Sequence, residues 1–165
     1  MRQSYSEHMD ELFKNLYKKY RDSVKISIDE TDEEKLLADR ELKKASKKYA
    51  QENFQGKKFP NEDTGQEILV SRIGLDKWDN ITKSREQGLS VKKLDEMLKR
   101  AKKVKFETDN KKRKFIDGLT YFEQPIDVNG KPYNANIATR DTQGNNSSYY
   151  YHYLKGDEKK EPDEV

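Results

Sequence analysis

The sequence predicts an α+β fold, with N-terminal helices followed by a small, about four-stranded antiparallel sheet packed on one helix. Three observations carry that expectation. Strand-type residues gather late, between Phe115 and Leu154, while helical stripes gather early. No alternating strand–helix series and no internal repeat joins the two, which argues for helices on one face of an antiparallel sheet. Asn129-Gly130 separates an alternating run ending at Val128 from another opening at Lys131. That dipeptide is the strongest short-range hairpin signal, because a type I′ turn needs positive φ at both central residues.

In chain order, Ser4-Tyr5-Ser6-Glu7 has the form of a capping box, with a hydroxyl and a glutamate three residues apart. Met9, Leu12, Phe13, Leu16, Tyr17 and Tyr20 follow at helical spacing, predicting an amphipathic helix that ends near Asp22. His8, in its first turn, carries no role. Val24 to Ile28 is β-prone. Thr31-Asp32-Glu33-Glu34 is a second capping box, opening a helix to about Glu52 whose apolar face (Leu36, Leu37, Leu42, Ala45, Tyr49) is thin. Gly56 and Pro60 break the chain. Glu67 to Ile73 has the β-branched content of a strand, and Leu75 to Gly88 reads as an irregular connection holding Trp78, the only tryptophan. Ser90 is the predicted cap of a third helix with Val91, Leu94, Met97, Leu98 and Ala101 on one side. Asp109 to Lys112 is a turn into three strands, the last two joined by a polar loop about Gly144. The chain thus divides into a helical arm of two amphipathic helices (1–56), an α+β domain (57–154) and a flexible acidic tail (155–165).

Composition narrows the function classes. Hydrophobic residues are 32% and charged residues 39% of the chain, so the core is modest. The net charge of +3 hides an uneven spread: residues 92–114 hold eleven Lys/Arg against four acids. A basic band of this kind suits an anionic partner such as nucleic acid. Its members Lys92, Lys93, Lys99, Arg100, Lys102 and Lys103 are candidate phosphate contacts, equally explained as a solvated helix face. The absence of cysteine removes disulfides, thiolate zinc sites and cysteine nucleophiles together. With no apolar run near the length of a membrane span, the expectation is a soluble protein of the host cytoplasm, with no membrane partner.

Strand pairing turns spacing into chemistry. A two-residue turn at Asn129-Gly130 places Glu123 opposite Asn136 and Tyr121 opposite Ala138. A second hairpin symmetric about Gly144 places Asn136 opposite His152 and Ala138 opposite Tyr150. Side chains alternate between faces, so Phe122, Ile126, Tyr133, Ala135, Ile137, Tyr149, Tyr151 and Tyr153 are predicted to lie against the third helix. The open face then carries Tyr121, Glu123, Asn136, Ala138, Arg140, Tyr150 and His152. A glutamate base and an imidazolium acid flanking a phosphodiester divide the labour of RNA cleavage. An arginine stabilises the charge that builds on the phosphoryl oxygens, and tyrosines stack the flanking bases. Glu123 is therefore the candidate base, His152 the acid and Arg140 the phosphate clamp, with Arg72, Lys77, Tyr121 and Tyr150 as nucleic-acid contacts. No metal and no small-molecule cofactor is required. The bland alternative is that one sheet face must meet water, where these residue types are ordinary.

Several motifs carry a family likeness: Phe59-Pro60-Asn61-Glu62-Asp63-Thr64-Gly65 running into Ile68-Leu69-Val70-Ser71, then Gly74-Leu75-Asp76-Lys77, Val128-Asn129-Gly130-Lys131-Pro132-Tyr133, and Tyr150-Tyr151-His152-Tyr153-Leu154. With these, residues 59–154 resemble the large polyvalent protein-associated domains of phages, prophages and conjugative elements; the N-terminal helices fall outside. That neighbourhood is similar in turn to the barnase, EndoU, colicin and RelE group of metal-independent ribonucleases, whose helices precede a four-stranded sheet. The resemblance implies a phage or mobile-element accessory protein with a ribonuclease-like, active or degenerate, domain. The second expectation is a non-enzymatic counter-defence inhibitor. Its partner would be RNA, with DNA less favoured, or a host defence protein.

Overall fold

Asn129 and Gly130 take φ of 54° and 82°, so the turn has the backbone its residues favour, and Val128 pairs with Lys131, Tyr121 with Ala138 and Glu123 with Asn136. A computed structural model describes residues 25–156. The predicted first helix with its Ser4–Glu7 box, His8, and the acidic end after residue 156 lie outside the described residues. In chain order the elements are β1 (Ile26–Ile28), α1 (Asp32–Lys35), α2 (Asp39–Asn53), β2 (Lys58–Pro60), β3 (Glu67–Leu69), α3 (Arg72–Ile81), α4 (Arg85–Ser90), a 3-10 turn (Val91–Lys93), α5 (Leu94–Arg100), β4 (Lys102–Thr108), β5 (Ile116–Val128), β6 (Lys131–Thr142) and β7 (Asn146–Gly156).

The sheet corrects the predicted fold. Among the described residues seven strands, not about four, run in the order β1-β5-β6-β7-β3-β2, with β4 also pairing β5. Two pairings, β1 with β5 and β3 with β7, are parallel. The sheet is curled and dominates a mixed α+β molecule, and helices lie between its strands rather than ahead of them. Of the added strands, β1 lies in the β-prone Val24 to Ile28 run but alternates over only three residues, β2 is equally short, and β4 is rich in lysine and exposed along nearly its whole length. None is long and alternating enough to be read as a strand of the sheet.

Local chemistry explains the helix boundaries. Thr31 and Glu34 do form a capping box, but it opens only the single turn of α1, and α2 starts afresh after Ala38. Arg85 ties this junction to α4: it ion-pairs with Glu30 and Asp39 and donates to the carbonyls of Leu37 (2.8 Å) and Glu34 (2.7 Å). The expected strand through Ile73 stops at Leu69, because Ser71 accepts the Gly74 amide at 3.3 Å and caps α3. Residues 75–88, expected to be irregular, are largely helical in α3 and α4, the latter capped by Ser84; Ser90, the predicted cap of the third helix, is the last residue of α4 and makes no side-chain cap for the 3-10 turn that follows. Asn61 fixes the neighbouring turn. Its amide donates to Leu98 O (2.8 Å) and Ala101 O (2.9 Å), carbonyls at the end of α5, satisfying groups that a helix leaves without partners.

The core lies between one sheet face and the helices. Phe122, Ile126, Val128, Ala135, Ile137 and Tyr149 meet Leu75, Trp78, Leu89, Leu94, Met97 and Leu98, all essentially inaccessible. Burying each large side chain is worth about 1.5–3 kcal/mol.

The second hairpin decides what the open face displays. Near its loop the pairing is symmetric about Gly144, with Thr142 opposite Asn146 and Thr139 opposite Tyr149. A bulge then intervenes, so that Ala138 faces Tyr151, Ile137 faces His152 and Asn136 faces Tyr153. Tyr150 is the extra residue. Beyond it every side chain of β7 is turned to the other face relative to the unbulged register. The bulge falls where β3, paired only through Ser147 and Ser148, gives way to α3. There Gly74 lies so near β7 that a Cβ on it would stand 2.1 Å from Tyr149 O.

Candidate nucleic-acid interface on the open sheet face

The bulge corrects the predicted faces for the end of β7. Tyr149 points into the core as expected, but Tyr151 and Tyr153 point out and His152 points in. Rows Tyr121–Ala138–Tyr151 and Glu123–Asn136–Tyr153 therefore stand side by side on the outer surface. With Lys105 they line a cleft of about 300 Å³. The Tyr151 and Tyr153 rings have centroids 6.5 Å apart and planes within 23°. Lys105 Nζ lies 5.2 Å from the Tyr121 ring centroid and 2.8 Å from Glu107. Burial, and then the neighbouring Tyr121 phenol, pushes Tyr151 up to about 12, so it is a neutral platform at any physiological pH.

Next to this platform stands a cationic cluster. Lys77, midway along α3, reaches to β7 and donates to the Tyr150 hydroxyl at 3.0 Å. Its ammonium lies 4.2 Å from the Tyr150 ring centroid and 5.6 Å from that of Tyr151. The Arg140 guanidinium covers the Tyr150 ring at 4.7 Å. Its Nε is buried and has no hydrogen-bond partner among the described residues. The Lys77 hydrogen bond, aided by the charges of Lys77, Arg140 and Arg113, draws Tyr150 below the usual phenol range despite partial burial. Sequence reasoning had named Lys77, Tyr121, Arg140 and Tyr150; it missed Tyr151, Tyr153 and Lys105. The signal that was absent is the bulge.

His152 is fully buried. Ser90 has one hydroxyl proton, which Gln87 O takes at 2.6 Å, so Nε2 of His152 must carry the proton shared with Ser90 Oγ at 2.7 Å. Nδ1 is then the acceptor for the Tyr149 hydroxyl, also at 2.7 Å. The Trp78 ring stacks on the imidazole at 6.2 Å, and burial lowers its pKa to about 3. Glu123 lies on the opposite side of the sheet, its row running through Asn136 to Tyr153. The geometry therefore does not bring His152 and Glu123 together, because the bulge rotates one of them through the sheet.

The basic residues of the predicted band are dispersed. Lys92 is held by Glu34 at 2.8 Å and is mostly covered. Lys93 lies 4.0 Å from Glu96. Lys99 and Arg100 occupy the last turn of α5, Lys99 with its ammonium 5.9 Å from the Phe59 ring. Lys102 pairs across from Glu123 at the start of β4, and Lys103 donates its backbone amide to Asp63 at 2.9 Å. Arg72 opens α3, largely exposed, 3.9 Å from Asp76. No group of three or more acidic or histidine side chains among the described residues forms a metal cage. No helix among them is long and apolar enough to cross a membrane.

Fold and surface together define a class: a curled mixed sheet that buries one face under helices and presents tyrosines and cations on the other. The chain belongs to the large polyvalent protein-associated domain 3 family, whose sequence model matches residues 38–153. The match takes in α2, which the motif-based likeness had left outside. No curated protein and no solved structure matches the chain.

Proposed function

We propose that this chain is a phage or mobile-element accessory protein that binds single-stranded nucleic acid, RNA above all, on the tyrosine face of its sheet without cleaving it. Family membership supports the mobile-element setting. The observation that carries the binding reading is the outward set Tyr121, Tyr151 and Tyr153 beside Lys77, Tyr150 and Arg140. Bases of a single strand stack on exposed aromatic rings, and cations alongside hold the backbone. The Tyr151–Tyr153 spacing of 6.5 Å is close to twice the roughly 3.4 Å thickness of a stacked base, so one planar base fits between them. Lys77 and Arg140, both against the Tyr150 ring, are the cations set beside this platform to hold the adjoining phosphate.

Burial and the low pKa of His152 favour binding over cleavage. A general acid must hold a proton near neutral pH and reach the leaving oxygen, and an imidazole sealed between Trp78, Tyr149 and Ser90 does neither. The test measures fluorescence anisotropy of a labelled single-stranded RNA, beside the same DNA sequence. Tyr151→Ala and Tyr153→Ala should each weaken binding about 5- to 150-fold, from the roughly 1–3 kcal/mol that one stacked base contributes. Total RNA incubated with the protein in EDTA should stay intact. Cleavage that His152→Gln abolishes would return the ribonuclease reading, and unaltered affinity in both tyrosine variants would remove the binding one.

A further inference from the structure

α2 carries cations that the sheet face does not use. Its buried seam is narrow, Leu42, Ser46 and Ala50 alone, and it packs on α4, α3 and the 3-10 turn. The approach to α4 is close: a Cβ on Gly88 would lie 3.7 Å from Lys43 Cα. The remaining surface holds Arg40, Lys43, Lys44, Lys47 and Lys48 at i, i+3, i+4, i+7 and i+8, one stripe along the helix. They border a broad, shallow groove of about 980 Å³ that includes only two carboxylates, Glu41 and Asp79.

The stripe has an inner and an outer row. Asp79 and Asp76 of α3 brace the inner one, Lys43 Nζ lying 3.8 Å from Asp79, and Lys47 Nζ 3.0 Å from Asp76 and 3.6 Å from Asp79. Although burial opposes its charge, those carboxylates hold the Lys47 ammonium above its usual range. The outer row is Arg40, Lys44 and Lys48, all exposed. Of these only Lys48 has a carboxylate within reach among the described residues, Glu52 at 3.9 Å. Of the other acids near the helix, Arg85 holds Asp39 at 2.9 Å, whereas Glu41 borders the groove without an ion pair among the described residues, leaving the cations in clear excess.

We propose that this stripe is a second nucleic-acid surface, separate from the tyrosine face, and that it holds the phosphate backbone of a duplex. Eight residues of helix rise about 12 Å, the axial length of three to four phosphates of one duplex strand at about 3.4 Å each. No ring flanks the groove on which an unpaired base could stack. Cations without aromatic partners read charge and not bases, and in a duplex the phosphates are the accessible part.

The full chain is titrated with a labelled blunt DNA duplex and its RNA counterpart across a salt series, beside the triple variant Arg40→Gln/Lys44→Gln/Lys48→Gln. The parent should bind a duplex with affinity that falls steeply with salt. The variant should flatten the slope of log K against log salt by about 2 to 3, at about 0.9 for each lost contact, while circular dichroism stays unchanged. Lys44→Arg/Lys48→Arg should restore the parental slope. Tyr151→Ala, which disables the first surface, should leave duplex binding intact, so the two proposals fail separately. No duplex binding by the parent at low salt, as when another segment of the chain covers the stripe, overturns the proposal. So does an unaltered slope in the triple variant.

Discussion

Between Tyr149 and Ser90 the His152 ring is held in its Nε2-protonated, neutral form, which makes the fold sensitive to acid. The unfolded chain takes up a proton near pH 6.5, whereas the folded one refuses it until about pH 3. Unfolded chains therefore bind more protons in that window, so this contribution to stability is complete above about pH 6.5 and is lost as the pH falls towards 3. Between pH 6.5 and 5, above most carboxylate titration, the expected loss is about 2 kcal/mol, at about 1.4 for each pH unit. Urea midpoints measured across that range check it. In His152→Gln the midpoint should be lower at pH 7, because two buried hydroxyls lose their best partner, and nearly flat with pH. A parent as flat as the variant would show that the imidazole is accessible.

Two helical glycines give opposite expectations at the scale of elements. Gly74 is the contact by which α3 lies on β7, and an alanine there puts a methyl 2.1 Å from Tyr149 O. Gly74→Ala should lower stability by about 1–3 kcal/mol or more, as overpacking does. Gly88 has its nearest neighbour at an ordinary 3.7 Å, so Gly88→Ala should raise stability by up to about 1 kcal/mol through helix propensity. Thermal unfolding of the pair tests the α3–β7 contact directly. The same contact shows what the sequence withheld. Asn129-Gly130 was legible because a type I′ turn is written in two adjacent residues, and the Thr31 box because its partners are three apart. The bulge at Tyr150 falls where one strand ends and a helix about 75 residues upstream arrives, its Gly74 against Tyr149, and nothing in Tyr149-Tyr150-Tyr151 marks it. β4 was missed for a different reason: its lysines serve an exposed edge and leave no alternation to read. Of the candidate site, Tyr121, Arg140 and Tyr150 followed from hairpin alternation and Lys77 from its place after the Glu67 run; Tyr151 and Tyr153, assigned by the same alternation to the packed face, needed the bulge.

The whole molecule is layered, with the tyrosine face and the basic stripe at separate places on its surface. Helices seal one sheet face, leaving the tyrosine platform on the other, while α2 carries its basic stripe next to α3, whose Asp76 and Asp79 brace the inner row. The net charge of +3 is small, so the binding proposed for the two surfaces would rest on where the charges are placed and not on their sum. Both surfaces acting at once predict avidity: a duplex with a single-stranded overhang should bind more tightly than either part alone, provided the overhang spans the two sites. Anisotropy competition with overhangs of graded length measures it, and affinity independent of overhang length would mean that the surfaces work singly.

The extra place taken by Tyr150 sets which rings of the last strand face outward and which ring is walled in. Where a residue is lost along it therefore matters more than that one is lost. Without Tyr150 the ladder would simply close, Tyr149 still opposite Thr139 and Tyr151 still opposite Ala138, and only the ring on which Lys77 and Arg140 converge would go. A residue lost between Tyr151 and Leu154 would instead send every later side chain through the sheet. Family members should accordingly tolerate a missing letter at the bulge far better than one just beyond it.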